Sequence, residues 1–172
     1  MRKIIVLLAT LGALFSVGAQ AAEGTKVAVV DLTRAIFATE VAKARVKQLG
    51  SGSDYASLQA KYESITADIK ALQEDAEVKS ATWSNEQAAE YKKKVEYLLA
   101  DRELAARKIQ TEQKALQGSI VNELQPKAGQ AIKELMEEGK IDLLMNAEAV
   151  IFAKPEMDIT AKLTDRLNKM TK

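Results

Sequence analysis

The sequence predicts a mainly helical α+β protein in which a long antiparallel coiled-coil hairpin projects from a small sheet. Three observations predict it. Apolar residues from Tyr55 to Ala76 alternate steps of three and four, the narrow seam of a coiled coil. A second, looser seam runs from Ala88 to Leu124. Short β-branched or apolar runs, too brief for helices, stand at both ends, around 26–32 and 141–153.

At the N-terminus, Met1-Arg2-Lys3 is a basic n-region, Ile4 to Val17 is an apolar stretch, and Ala19-Gln20-Ala21 is a small-x-small site. This pattern predicts a cleaved signal peptide over 1–21, with cleavage after Ala21 or after Ala22. The apolar stretch is shorter than the ~20 residues a spanning helix requires. Without Arg2 and Lys3, 23 basic residues face 24 acidic ones. That balance argues against nucleic acid as a partner, because phosphate binding needs a basic excess.

The chain has no Cys and no His. It therefore carries no disulfide, although an exported chain could form one, and it lacks the residues of most metal sites, triads and thiol mechanisms. The carboxylates that invite a catalytic reading are Asp31, Glu74-Asp75 and Glu137-Glu138. Adjacent helical residues point ~100° apart and do not share a site. No phosphate loop or nucleophile elbow is present. The expectation is a protein that is not an enzyme, with no cofactor and no metal.

Lys26-Val27-Ala28-Val29-Val30-Asp31-Leu32 reads as a strand apolar on both faces, hence buried on both. A short helix follows with Ile36 and Phe37 as contacts, and Glu40 to Leu49 is helical in composition. Gly50-Ser51-Gly52-Ser53 breaks the chain, since two glycines in a helix interior cost ~2 kcal/mol relative to alanine. Ser53 or Asp54 is then expected to cap a new helix. Its seam is Tyr55, Leu58, Tyr62, Ile65, Ile69, Leu72 and Ala76, with charges such as Lys61, Glu63, Asp68 and Glu74 between.

Ser80 to Trp83 reads as a connector. Ser84 with Gln87 has the form of a capping box and starts a second long helix. Its seam is Ala88, Tyr91, Val95 and Leu98, then Arg102, Ala105 and Ile109, then Leu116, Ile120 and Leu124. At ~1.5 Å per residue the first arm helix reaches roughly 40 Å, beyond the ~15 Å radius of a compact domain this size. Pro126 removes one backbone donor and is expected to bend the returning helix. Gly139 is expected to end it at the C′ position. Ile141 to Met145 reads as a strand, Asn146-Ala147-Glu148 as a turn, and Ala149 to Ala153 as a further strand ended by Pro155. Asp158 then caps a last helix with Ile159, Leu163, Leu167 and Met170 on its apolar face.

The chain thus divides into a signal peptide (1–21), a body from 22–53 and 125–172, and a hairpin arm (54–124). Three short strands and one helix make a poor core with open edges, which favours self-association. The residues alone leave the copy number open.

Val27-Ala28-Val29-Val30-Asp31, the run from Ile141 to Val150, and Asp158-Ile159-Thr160, flanking a charged hairpin, resemble the Skp/OmpH family of periplasmic chaperones. The resemblance covers essentially the whole mature chain. It implies a homotrimer whose strands close into a small β-barrel, with three arms enclosing a cavity for unfolded outer-membrane proteins in the periplasm. It also implies that Val27, Val29, Leu143, Met145, Val150 and Phe152 build the trimer body. Trp83, at the arm tip, is a candidate client contact or else a plug closing the hairpin. Met145 and Phe152 could instead line a cavity floor. Tyr55, Tyr62 and Tyr91, at seam positions, are read as packing before client contact.

The resemblance would imply arms like those of the best-known family members, which are strongly basic. Residues 54–113 of this chain hold nine Lys and Arg against twelve Asp and Glu. Membrane or lipopolysaccharide contact is accordingly expected to be weak, and interfacial helices need a broader apolar face with basic flanks. The competing reading is an envelope coiled-coil adaptor holding one folded partner.

Overall fold

The computed structural model describes residues 24–172, so the signal-peptide expectation for 1–21 lies outside the described residues. The described chain is mostly helical, with one small sheet. Strand β1 (Val27–Val30) pairs in parallel with β2 (Leu143–Asn146), in a register running from Val27 opposite Leu143 to Val30 opposite Asn146. Parallel strands need a long crossover, and here the crossover is nearly the whole helical part of the molecule. On the other edge of β1, the Ile159 N–H donates to the Val29 carbonyl at 2.9 Å. Strand β1 is therefore flanked on both sides, and Ala28, Val29 and Val30 are buried. That explains its continuous apolar run.

Helix α1 (Leu32–Phe37) starts at Asp31, whose carboxylate accepts from the Arg34 N–H at 2.8 Å. The expected strand residue Leu32 is already its first turn. Thr39 opens α2 (Glu40–Ser51). It is fully buried, but its hydroxyl donates to the Ile36 carbonyl (2.7 Å) and accepts from the Ala42 N–H (3.3 Å). A buried hydroxyl is tolerated when it is paired in this way.

The expected break narrows to one residue. Gly50 lies inside α2, and Gly52 alone, in extended conformation, separates it from α3 (Ser53–Lys79). Neither Ser53 nor Asp54 caps α3: the cap position is Gly52, which has no side chain to offer. A 3-10 turn (Ser80–Thr82) and Trp83 lead to α4 (Asn85–Gly139), 55 residues long. The capping box forms as expected, with Gln87 N–H to Ser84 Oγ at 3.2 Å and Ser84 N–H to Gln87 Oε1 at 2.8 Å. Pro126 sits within α4 on its exposed side, and the helix runs on through it to Gly139.

The end of α4 departs from the expectation. The left-handed residue is Lys140 (φ 48°), not Gly139. Ile141 N–H donates to the Met136 carbonyl (2.9 Å) and Lys140 N–H to that of Glu137 (3.2 Å), the paired closure of a Schellman turn. Gly139 is constrained differently: a Cβ there would stand 3.1 Å from the Ile141 side chain. The closure uses Ile141, so β2 begins two residues later than the apolar run.

Ala149–Ala153 forms no strand. Asn146 Oδ1 accepts from the Glu148 N–H (3.1 Å), winding Ala147–Ala149 into a 3-10 turn that carries the chain away from β2. Val150 is extended, but among the described residues nothing pairs with the segment, and Ile151 and Phe152 stand in the open.

Helix α5 (Thr160–Met170) closes the fold. Its cap position is Ile159; Asp158, one residue earlier, accepts from the Thr160 N–H at 2.8 Å. Leu163 and Leu167 are fully buried against Ile36, Ile120 and Leu124. Each such side chain contributes ~1.5–3 kcal/mol by leaving water. Arg166 fixes α5 to α4, meeting Glu134 and Glu138 at 2.6 Å each.

This core draws only on the last part of α4, from Ile120 to Leu135. Farther out, α4 packs on α3. Gln113 donates to the Tyr55 hydroxyl at 2.7 Å, Leu72 and Leu98 line one shared groove, and Trp83 meets Tyr91. Tyr55, Ile65, Ile69 and Ala105 are buried in this seam.

Candidate functional site

Two surfaces stand out: the free edge of the sheet and the sides of the long helices. At the sheet, β2 pairs only with β1, so its outer edge offers unpaired backbone groups among the described residues. Leu143 (48 % exposed) and Met145 are exposed on β2, and Ile151 and Phe152 (81 %) are exposed in the segment after the following 3-10 turn. An open strand edge beside large apolar side chains is unstable in water unless covered.

The residues expected to build the body therefore separate. Val29 is buried within its own chain, Val27 and Val150 are half-buried, and Leu143, Met145 and Phe152 face outward. Val150 and Phe152 do not belong to a strand, contrary to the expectation, because a strand requires a neighbouring edge and the described residues supply none to them. Asn146, the turn former that redirects them, was the available sequence signal.

Asp158 and Arg34 lock the neighbourhood of β1. Arg34 Nη2 meets Asp158 Oδ2 at 2.7 Å, and the Asp31 N–H donates to the Thr160 hydroxyl at 2.9 Å. Hydrogen bonds from Thr160, aided by Arg34, hold the Asp158 carboxyl below its usual range. The Arg166 guanidinium lowers Glu138 likewise, and Glu138 and Glu134 raise Arg166. These are struts. Sequence reading missed them, although Glu134 and Glu138 share one face of α4 at i, i+4 spacing.

On the long helices, Trp83 is half-buried, its ring 4.9 Å from Tyr91 at 46°. Tyr62, Val78, Tyr97, Leu99 and Leu104 are exposed. Tyr62 holds a seam position by spacing yet lies open, whereas Tyr55 is buried. Among the described residues no group of acidic side chains has the geometry of a metal site, and no helix is long and apolar enough to cross a membrane.

A small parallel sheet, a helical base and two long packed helices define a mainly helical α+β protein with far more surface than core. The family model for OmpH-like outer membrane proteins matches residues 26–167, and the chain belongs to that family. A Skp-like protein of Pseudomonas aeruginosa is 22% identical over 145 residues, which are 84% of this chain and 85% of that one. The crystal structure of an OmpH-like protein from Caulobacter crescentus aligns over 96% of this chain and 92% of its own, at 19% identity and a TM-score of 0.47.

Proposed function

We propose that this chain is a periplasmic holdase chaperone that keeps unfolded outer-membrane proteins from aggregating, and that it acts as a homotrimer. In this reading residues 54–124 form an antiparallel hairpin arm and residues 22–53 and 125–172 the body. Family membership supports the chaperone class. One observation carries the assembly: the unpaired border of β2 with Leu143 and Met145 exposed on it, and Ile151 and Phe152 exposed in the segment that follows. Further copies would cover that border, with the sheets closing into a barrel, and three arms would then enclose a space.

A holdase needs no chemistry, and the reading requires neither catalysis nor a cofactor. It must lower the free concentration of a sticky chain without fixing its structure. Many weak contacts over a large surface do this, because linked modest affinities multiply. A guest bound only while unfolded stays unfolded by mass action. With acidic arms, contact with membranes or lipopolysaccharide is at most a minor property.

Trp83 packs against Tyr91, which favours the tip plug over a client contact. Trp83→Ala is therefore expected to loosen the tip without reducing client holding.

The test is light scattering of a denatured porin diluted from urea, with and without the exported chain. Suppressed scattering at a saturating ratio of three chains per porin is expected, with folded porin ignored. Undiminished aggregation would overturn the proposal. Recovery of one native partner, and no denatured barrels, from a periplasmic pull-down would favour an envelope adaptor instead.

A further inference from the structure

A groove of about 530 Å³ lies between α3 and α4, away from the sheet edge. Gln59, Tyr62 and Glu63 line it from one helix, and Ile109, Gln110 and Gln113 from the other. Tyr62 is exposed and Ile109 half-buried, so the floor is apolar and open. Leu99, one turn beyond the lining residue Glu103 on the same face of α4, is 41 % exposed and extends the strip toward the tip.

The groove lining carries Glu63 and Glu103 against Arg107, a small acidic excess. Helix α3 as a whole carries six Asp and Glu against three Lys. Lys70 pairs with Glu74 (3.7 Å) and Lys79 with Asp75 (2.5 Å), which leaves Asp54, Glu63, Asp68 and Glu77 against Lys61 on this helix. Across the groove Glu103 and Arg107 offset each other at 3.8 Å. Glu63 is left at the rim with no cationic partner among the described residues.

We propose that this groove binds an extended, cationic segment of an unfolded polypeptide. The inference rests on the holdase reading and names the class of guest it prefers. Tyr62 and Ile109 receive an apolar side chain. The carboxamides of Gln59 and Gln110 each donate and accept, and Gln113, whose amide already donates to Tyr55, keeps its carbonyl, which suits a backbone whose N–H and C=O groups are still unpaired and requires no particular sequence. Glu63 and the acidic field of α3 attract Lys or Arg on the guest. The same field repels phosphate, so anionic lipid and nucleic acid are disfavoured.

The probes are two short unstructured fluorescent peptides with the same alternating Tyr, Leu and Ser, one bearing Lys and the other Glu. Anisotropy with the whole exported chain should show the Lys peptide binding roughly tenfold tighter at low salt. The gap should close at high salt. Glu63→Lys should abolish or invert the preference, and Tyr62→Ser should weaken both peptides. Glu77→Lys, an equal charge change on α3 outside the groove, should have much less effect. All three positions are exposed, and unchanged far-UV circular dichroism confirms folding.

Equal affinity for the two peptides overturns the proposal. So does an effect of Glu77→Lys as large as that of Glu63→Lys, which would make net charge, not the groove, responsible. A concentration-dependent doubling of mass abolished by Tyr62→Ser would make a second assembly the occupant and also overturn it. If porin stays soluble while the peptides show no preference, the groove assignment fails and the holdase reading stands. If porin aggregates regardless, the holdase reading itself fails.

Discussion

Phe152→Asp tests the assembly directly. Phe152 is 81 % exposed in the single chain, so almost all of its surface remains to be buried by another copy. Full burial of such a side chain is worth ~1.5–3 kcal/mol, and the exposure leaves roughly 1.2–2.4 of that for the contact. The substitution repeats in every copy, so a trimer loses about 4–7 kcal/mol, before the added cost of placing a carboxylate in an apolar border. That corresponds to a weakening of assembly by roughly 10³- to 10⁵-fold. The fold of each chain should hardly respond, since an exposed substitution usually changes stability by about 0.5 kcal/mol or less. Multi-angle light scattering at micromolar concentration should give three times the chain mass for the parent and a smaller mass for the variant, with helical circular dichroism preserved. A variant that keeps the parent's mass would refute the assignment of this border as the subunit contact. A parent that is itself monomeric would refute the trimer.

Other predictions concern the base. Leu167 is fully buried, so Leu167→Ala should cost ~2–5 kcal/mol, read as a lower urea midpoint at unchanged slope. Lys140 occupies the left-handed region at φ 48°, where a Cβ is penalised by ~1 kcal/mol; Lys140→Gly should raise the midpoint, and a lower one would show that the lysine side chain matters more than its backbone. The Asp158 carboxyl titrates below its unfolded value, so its contribution is fully present above the unfolded pKa and is lost as pH falls through the folded one. Asp158→Asn should therefore destabilise the chain by about 1 kcal/mol at neutral pH and flatten the acid limb of the stability curve below pH ~4. Equal destabilisation at every pH would assign the effect to lost packing.

Much of the architecture could be read from local signals. The Ser84–Gln87 box and the core of the α3 seam, Tyr55, Ile65 and Ile69, depend on residues close in sequence, and both formed. Local reading erred where the deciding partner was distant or adjacent positions competed. Ser53 and Asp54 were plausible caps, but the extended residue is Gly52; Gly139 was a plausible left-handed residue, but the turn closes at Lys140 because Ile141 packs over Gly139. The candidate surfaces were only half legible. Seam spacing assigned Tyr62 to packing, and only the three-dimensional placement leaves it at an open groove.

The sequence by itself determined the two long helices and their charge, because helix periodicity, capping and side-chain ionisation are properties of neighbouring residues. Only the tertiary structure decided which apolar runs became strands. A strand is stable when another backbone edge completes its hydrogen bonds. Val27–Val30 has partners on both sides, whereas Val150–Ala153 has none among the described residues, so a similar apolar composition gives a buried strand in one place and an exposed segment in the other.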